Sequence, residues 1–167
     1  MTETDLSATA PDAYPFAARF RVRYSEIDGQ QIVFNAHYLT WYDTALAEYF
    51  RHLQISMDEL IHGDDPTDFH TVRNVIDYHA PVRYDEIIAV HVRPGRLGRS
   101  SVTFEMATFV PGETRPRNTG QVVWVAAGVG DHQSKPVPDW VRQRLEVSRQ
   151  ATRVEVDPTC LPAPGKE

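Results

Sequence analysis

The sequence predicts an α+β domain in which an antiparallel sheet of about five strands wraps one long, mostly buried helix. Three observations predict it. Apolar residues recur at spacings of three and four from Tyr38 to Leu53, the period of a helix, and leave only a narrow polar side. Apolar residues alternate with period two over five other stretches, each keeping one wet face. The order of elements, one strand, the helix, then four strands, gives each layer an apolar face that the other can cover.

The first strand is read over 16–24, where Phe16, Phe20, Val22 and Tyr24 fall on even positions. The helix is read over 36–53: Tyr38, Tyr42, Ala45, Leu46, Tyr49 and Leu53 make its buried stripe, and Leu39, Trp41 and Phe50 widen it. Asn35 is the expected N-cap, its short side chain accepting from a first-turn amide. A polar segment with Gly63, Asp64, Asp65 and Pro66 follows. Four strands then alternate through Val72, Ile76, Tyr78, Ala80 and Val82; Ile88, Val90 and Val92; Val102, Phe104 and Met106; Val122, Trp124 and Ala126. Turn formers join them: Tyr84-Asp85, Pro94-Gly95 with Gly98, and Pro111-Gly112 onward to Gly120. A short surface helix is expected over 139–149, after Pro136 and Pro138. Residues 1–15 and 151–167 lack an apolar period and read as flexible tails around a single domain of 16–150.

Composition narrows the function. A chain of 167 residues with 41% hydrophobic and 24% charged residues has the size and make-up of one globular domain. Seventeen basic against 23 acidic side chains give a net charge of −6, which disfavours an unshaped electrostatic hold on nucleic acid or an anionic membrane. The longest apolar runs, such as 122–127, fall far short of the roughly 20 residues of a membrane helix. Residues 1–14 lack the basic start and apolar block of a secretion signal, so a cytoplasmic protein is expected. The single Cys160 excludes an internal disulfide and a thiolate zinc cluster, and the scattered histidines call for no metal.

The usual motifs of chemistry are absent: no G-x-S-x-G, no P-loop, no G-x-G-x-x-G and no H-E-x-x-H. The informative segment is 21–38. Asp28 lies there in a loop between a strand and the start of the buried helix. Free amides of the first helical turn, around Asn35 to Leu39 and so including Ala36, His37 and Tyr38, can donate to a developing oxyanion, and the helix dipole reinforces them. A carbonyl bound between would meet donors on one side and a carboxylate on the other, which suits acyl transfer. Glu26 is a second acid competing for that role.

Arg21, Val22, Tyr24, Glu26, Asp28, Val33, Phe34, Asn35, Tyr38 and Leu39 match the signature of the hotdog-fold acyl-CoA thioesterases of the 4-hydroxybenzoyl-CoA thioesterase type. The resemblance continues through Tyr78-His79-Ala80-Pro81-Val82, Asp85-Glu86, Gly98-Arg99-Ser100 and Lys135-Pro136. It implies a hotdog fold and an acyl-CoA thioesterase, with Asp28 as nucleophile or general base and helix-start amides as oxyanion hole. Tyr24 and Asn35 are implied as supporting catalytic residues. Phe34, Trp41 and Tyr42 are candidates to line an acyl pocket, and Arg96, Arg99 and Ser100, with Arg93 and Lys135 nearby, to hold coenzyme A. A thiolate leaves readily, its reference pKa being about 8.5, so one carboxylate can suffice. Coenzyme A belongs to the substrate, and no separate cofactor is expected.

The sequence departs from the pattern at Gln31, where relatives usually carry Gly, and has Asn35 where one branch has His. The Gln31 departure motivates an alternative, a hotdog domain that binds acyl-CoA or acyl carrier protein without hydrolysis. A hydratase on the same fold is weaker, because the acid precedes the helix. Open sheet edges call for a homodimer or homotetramer with sites at the interface.

Overall fold

A computed structural model describes residues 10–157; Cys160 and the outer parts of both expected tails, 1–9 and 158–167, lie outside the described residues. An uninterrupted run without Gly or Pro, Ala36–His52, forms the central helix α1. Its buried stripe is Tyr38, Trp41, Tyr42, Ala45, Leu46, Tyr49 and Phe50, and the last turn places Arg51 and His52 at the negative end of the dipole.

The sheet has six strands where about five were expected: β1 (Phe16–Arg21), β2 (Thr67–Tyr78), β3 (Ile87–Leu97), β4 (Ser101–Phe109), β5 (Asn118–Gly128) and β6 (Val154–Val156). Their order is β2-β5-β4-β3-β1-β6. Neighbours are antiparallel except β6, which runs parallel to β1 with Val154 opposite Phe16 and Val156 opposite Ala18. Inward side chains from β1, β3, β4 and β5, among them Phe16, Val90, Phe104 and Trp124, close one core around α1. Gly120 admits Tyr42 to the sheet: a Cβ there would lie 2.5 Å from the Val75 carbonyl and 2.8 Å from the Tyr42 ring. The Tyr42 hydroxyl donates to Asn118 Oδ1 at 2.5 Å, and Thr108 Oγ1 donates to the same oxygen at 3.1 Å. This buried cluster sets the register of helix against sheet.

Several expectations are corrected. The first strand stops at Arg21, because the Glu26 carboxylate accepts from the Arg23 amide at 2.7 Å and coils Tyr24–Glu26 into a 3₁₀ turn. β2 begins earlier than expected, at Thr67, and ends at Tyr78; Ala80 and Val82 lie beyond it, where Pro81 has no amide for a ladder. Pro94 and Gly95 lie inside β3, and the register shift between Pro94 and Leu97 absorbs them as a bulge. The polar segment contains a short helix α2 (Met57–His62), capped by the Ser56 side chain accepting from the Glu59 amide. The later helix α3 (Asp139–Ser148) forms as expected.

The chain ends are also less loose than composition implies. After a 3₁₀ turn over Pro11–Ala13, Tyr14 is buried on the outer face of the sheet, edge-on to His91 at 5.7 Å and under the Arg93 guanidinium at 4.8 Å. Val154–Val156 becomes β6 by pairing with β1, a long-range contact that no local period announces. Among the described residues no helix is long and apolar enough to cross a membrane.

Candidate active site

The loop carrying Asp28 is closed by its own backbone. The Asp28 amide donates to the Ile32 carbonyl at 2.9 Å, the Gln31 amide to the Asp28 carbonyl at 3.0 Å, and the Gln30 amide to Asp28 Oδ1 at 2.7 Å. Gln31 holds φ at 62°, the left-handed region where glycine costs least. The loop thus closes through a left-handed residue that is not glycine, with Gln31 carrying about 1 kcal/mol of strain.

The two acids separate cleanly. Glu26 is 2% exposed and accepts four hydrogen bonds: from the Arg23 amide, from Arg23 Nε at 3.1 Å and Nη2 at 2.8 Å, and from Trp41 Nε1 at 3.1 Å. Burial pushes its carboxyl up, but the Arg23 amide and guanidinium and the Trp41 indole outweigh that and hold it below the usual carboxylate range. It is an anchor with no oxygen to spare. Its backbone carbonyl accepts from the Phe34 amide at 2.9 Å, tying the helix start to the Asp28 loop. Asp28 is half-buried, and among the described residues only the Gln30 amide donates to its carboxylate.

Asp28, Phe34, Asn35 and Tyr38 line one cleft of about 540 Å³, together with Tyr78 and His79. At its helix end the Val33 and His37 amides are used by the Val82 and Phe34 carbonyls, at 2.9 and 3.0 Å. Among the described residues nothing accepts from the amides of Asn35 and Ala36. Asn35 sits at the N-cap position with helical φ and ψ, and its side chain makes no capping bond, which corrects the expected cap. The Tyr78 hydroxyl instead donates to the Asn35 carbonyl at 3.2 Å, and the Tyr78 ring meets Tyr38 edge-on at 5.1 Å. Tyr38 is buried, and burial raises its phenol above the ordinary range. His37 packs its ring against Phe34 at 6.2 Å.

Other expected site residues lie elsewhere. Tyr24 is 80% exposed and Trp41 is buried; both line a second groove of about 560 Å³ on the β1 side of α1, away from Asp28. Tyr24 belongs there because the 3₁₀ turn swings it outward against Tyr84, at 5.8 Å. Tyr42 is sealed in the core by Asn118. Arg96, Arg99 and Ser100 lie at the other end of the sheet: the Ser100 carbonyl accepts from Ala126, which pairs with Phe69, nine residues along β2 from Tyr78. That is about 30 Å at the rise of a strand, so within one subunit these residues do not reach the Asp28 cleft. Tyr78 and His79 are cleft residues that helix and loop reasoning passed over; they fall in the matching segment at the end of β2, where the signal was available.

Comparison with known proteins agrees with this architecture. An Escherichia coli acyl-CoA thioester hydrolase, YbgC, is 26% identical over 84 residues, covering 50% of this chain and 61% of that protein. A Thermus thermophilus thioesterase solved with coenzyme A and zinc superposes with a TM-score of 0.69 at 27% identity, over 83% of this chain and 96% of that one. A Pseudomonas aeruginosa protein superposes at 0.75 with 24% identity, over 86% and 98%, a likeness of fold. The thioesterase superfamily model matches residues 30–115, just over half of the chain. With the hotdog arrangement of helix and sheet around it, that match makes this chain a member of the thioesterase superfamily.

Proposed function

We propose that the chain hydrolyses an acyl-CoA thioester to the free acid and coenzyme A, with Asp28 as nucleophile or general base. One observation carries the reading: Asp28 and the start of α1 line the same cleft, and among the described residues nothing accepts from the Asn35 and Ala36 amides there. A thioester carbonyl seated in that cleft places its oxygen against N–H donors and the positive end of the helix. Asp28 then either attacks the carbonyl carbon, expelling the thiolate and leaving a mixed anhydride that water hydrolyses to the free acid, or takes a proton from a water that attacks that carbon and passes it to the departing thiolate. Phe34 and Tyr38 offer apolar walls to the acyl group. The names of the Escherichia coli and Thermus thermophilus relatives support the substrate class.

The reading includes a second copy of the chain. β2 is an edge of the sheet, and its middle, around Val72 at 59% exposure, is uncovered. Two such edges paired antiparallel set the Thr67 end of one beside the Tyr78 end of the other. That pairing carries Arg96, Arg99 and Ser100 of the second copy toward the Asp28 cleft, where guanidinium groups can grip the phosphates of coenzyme A.

Thiol release from short, long and aromatic acyl-CoAs tests the proposal. Turnover by the wild type and a loss of at least about 10²-fold for Asp28→Asn are expected. Turnover on none, or full activity in Asp28→Asn, refutes it. Light scattering at micromolar concentration should give a dimer or tetramer; a monomer refutes the shared site.

A further inference from the structure

Tyr78 lines the Asp28 cleft where the end of β2 meets the start of α1. Its backbone is held on both sides. Within β2 it pairs with Asn118, the buried residue whose Oδ1 accepts from Tyr42 and Thr108. Just beyond it the His79 and Ala80 amides both donate to the Arg117 carbonyl, at 2.9 and 3.0 Å, and Arg117 Nη1 donates to the Pro81 carbonyl at 2.6 Å. The ring rests edge-on against Tyr38, which is buried on α1, at 5.1 Å. Strand, loop and helix together aim the hydroxyl at the Asn35 carbonyl, to which it donates at 3.2 Å.

That carbonyl belongs to the same peptide group as an unused donor. The Asn35 C=O and the Ala36 N–H are two ends of one planar trans unit, so they point in opposite directions. Asn35 holds φ and ψ of −52° and −33°, which turns the carbonyl along α1 and the N–H back toward the N-terminal end of the helix. Among the described residues nothing accepts from that N–H. A bond accepted at the carbonyl polarises the peptide group and strengthens what its N–H donates, by roughly 10–30%. It also fixes the plane, so the N–H needs no reorientation when charge develops on a thioester oxygen. Burial raises the Tyr78 phenol above its ordinary range, which keeps the donated proton in place through neutral pH.

From this geometry we infer that Tyr78 is a positioning residue for hydrolysis: its hydroxyl, through the Asn35–Ala36 peptide group, orients and strengthens the Ala36 N–H as an oxyanion donor. The inference rests on the thioesterase reading above and adds to it a residue of the sheet that acts on the helix start without touching the substrate's carbonyl.

Removing a whole oxyanion donor costs about 10²–10³ in rate, so a change of roughly 10–30% in one donor's strength amounts to about two- to eightfold. Tyr78→Phe keeps the ring against Tyr38 and removes only the hydroxyl. On the best substrate of a panel of short, long and aromatic acyl-CoAs it should lower kcat by that factor and leave KM and Tm unchanged, because the charge it helps to hold exists only in the transition state. Tyr78→fluorotyrosine, a more acidic and therefore stronger donor, should keep kcat at or above the wild-type value. In ¹³C,¹⁵N-labelled protein the Asn35 carbonyl carbon and the Ala36 nitrogen should both move upfield in Tyr78→Phe. A kcat within about 1.5-fold of wild type in Tyr78→Phe, or a loss carried by KM instead, overturns the inference. Unmoved Asn35 and Ala36 resonances, or a fluorotyrosine variant as slow as Tyr78→Phe, also overturn it. If Asp28→Asn is inactive in the same assays, the hydrolase reading survives that failure. A wild type that turns over no acyl-CoA overturns the reading and the inference together.

Discussion

Replacing Glu26 with Ala should unfold the protein several degrees earlier while leaving the cleft carboxylate in place, the reverse of what Asp28→Asn does. The magnitude follows from the four bonds that Glu26 accepts. Trp41 is 3% exposed, so its indole N–H would be left buried without a partner, at about 1–3 kcal/mol. The Arg23 guanidinium is 68% exposed and water replaces its lost bonds, so it adds little. The Arg23 amide adds roughly another 1 kcal/mol. A total of about 3 kcal/mol corresponds to a Tm drop of roughly 6–12 °C for a domain of this size. Thermal melts followed by circular dichroism measure it. A double-mutant cycle with Trp41→Phe should recover a coupling of about 1 kcal/mol or more, since the phenyl ring has no N–H to strand. Because the Glu26 carboxyl titrates below its ordinary range in the folded state, its stabilisation is full above that range and is lost as pH falls through it. A Glu26→Ala melt within 1 °C of wild type, or a cycle that closes without coupling, would refute the anchoring role.

Other outcomes follow from the same geometry. Asp28→Asn should melt within about 0.5 kcal/mol of wild type, because an amide oxygen can still accept from Gln30 while the lost charge removes turnover; calorimetry beside the thiol-release assay checks both. Gln31→Gly should raise stability by about 0.5–1 kcal/mol without loss of activity, since it relieves the φ of 62°; a lower denaturation midpoint would contradict that strain. His91 is held neutral down to about 4, chiefly by burial and secondarily by the charge of Arg153. Its unfolded value is near 6.5, so stability is full above that pH and declines by about 3 kcal/mol as pH falls toward 4. Urea titrations of His91→Phe between pH 7 and 4 should lack that part of the decline; an unchanged slope would assign it to other groups.

How much was legible in the sequence depends on whether a feature is local. The buried stripe of α1 was readable because a helix presents every third and fourth residue to one side, and the alternation in β3, β4 and β5 was readable for the equivalent reason in a strand. Asp28 and the helix start stood out because only a few residues separate them, and short chain segments cannot carry their ends far apart. Tyr24 was misplaced because alternation continues through Val22, while the bond from the Arg23 amide to Glu26 bends the chain. β6 and the burial of Tyr14 were invisible, since each depends on partners more than fifty residues away.

Composition and periodicity alone determined that this chain would form an α+β fold around a long helix, with a carboxylate beside the helix's N-terminal turn. Only the tertiary structure decided which acid is free. Glu26 and Asp28 are two residues apart and chemically alike, but Trp41, fifteen residues beyond Glu26, consumes one carboxylate by folding back onto it. It also decided that Arg99 lies at the far end of the sheet from Asp28, because strand register sets distances that no linear spacing encodes.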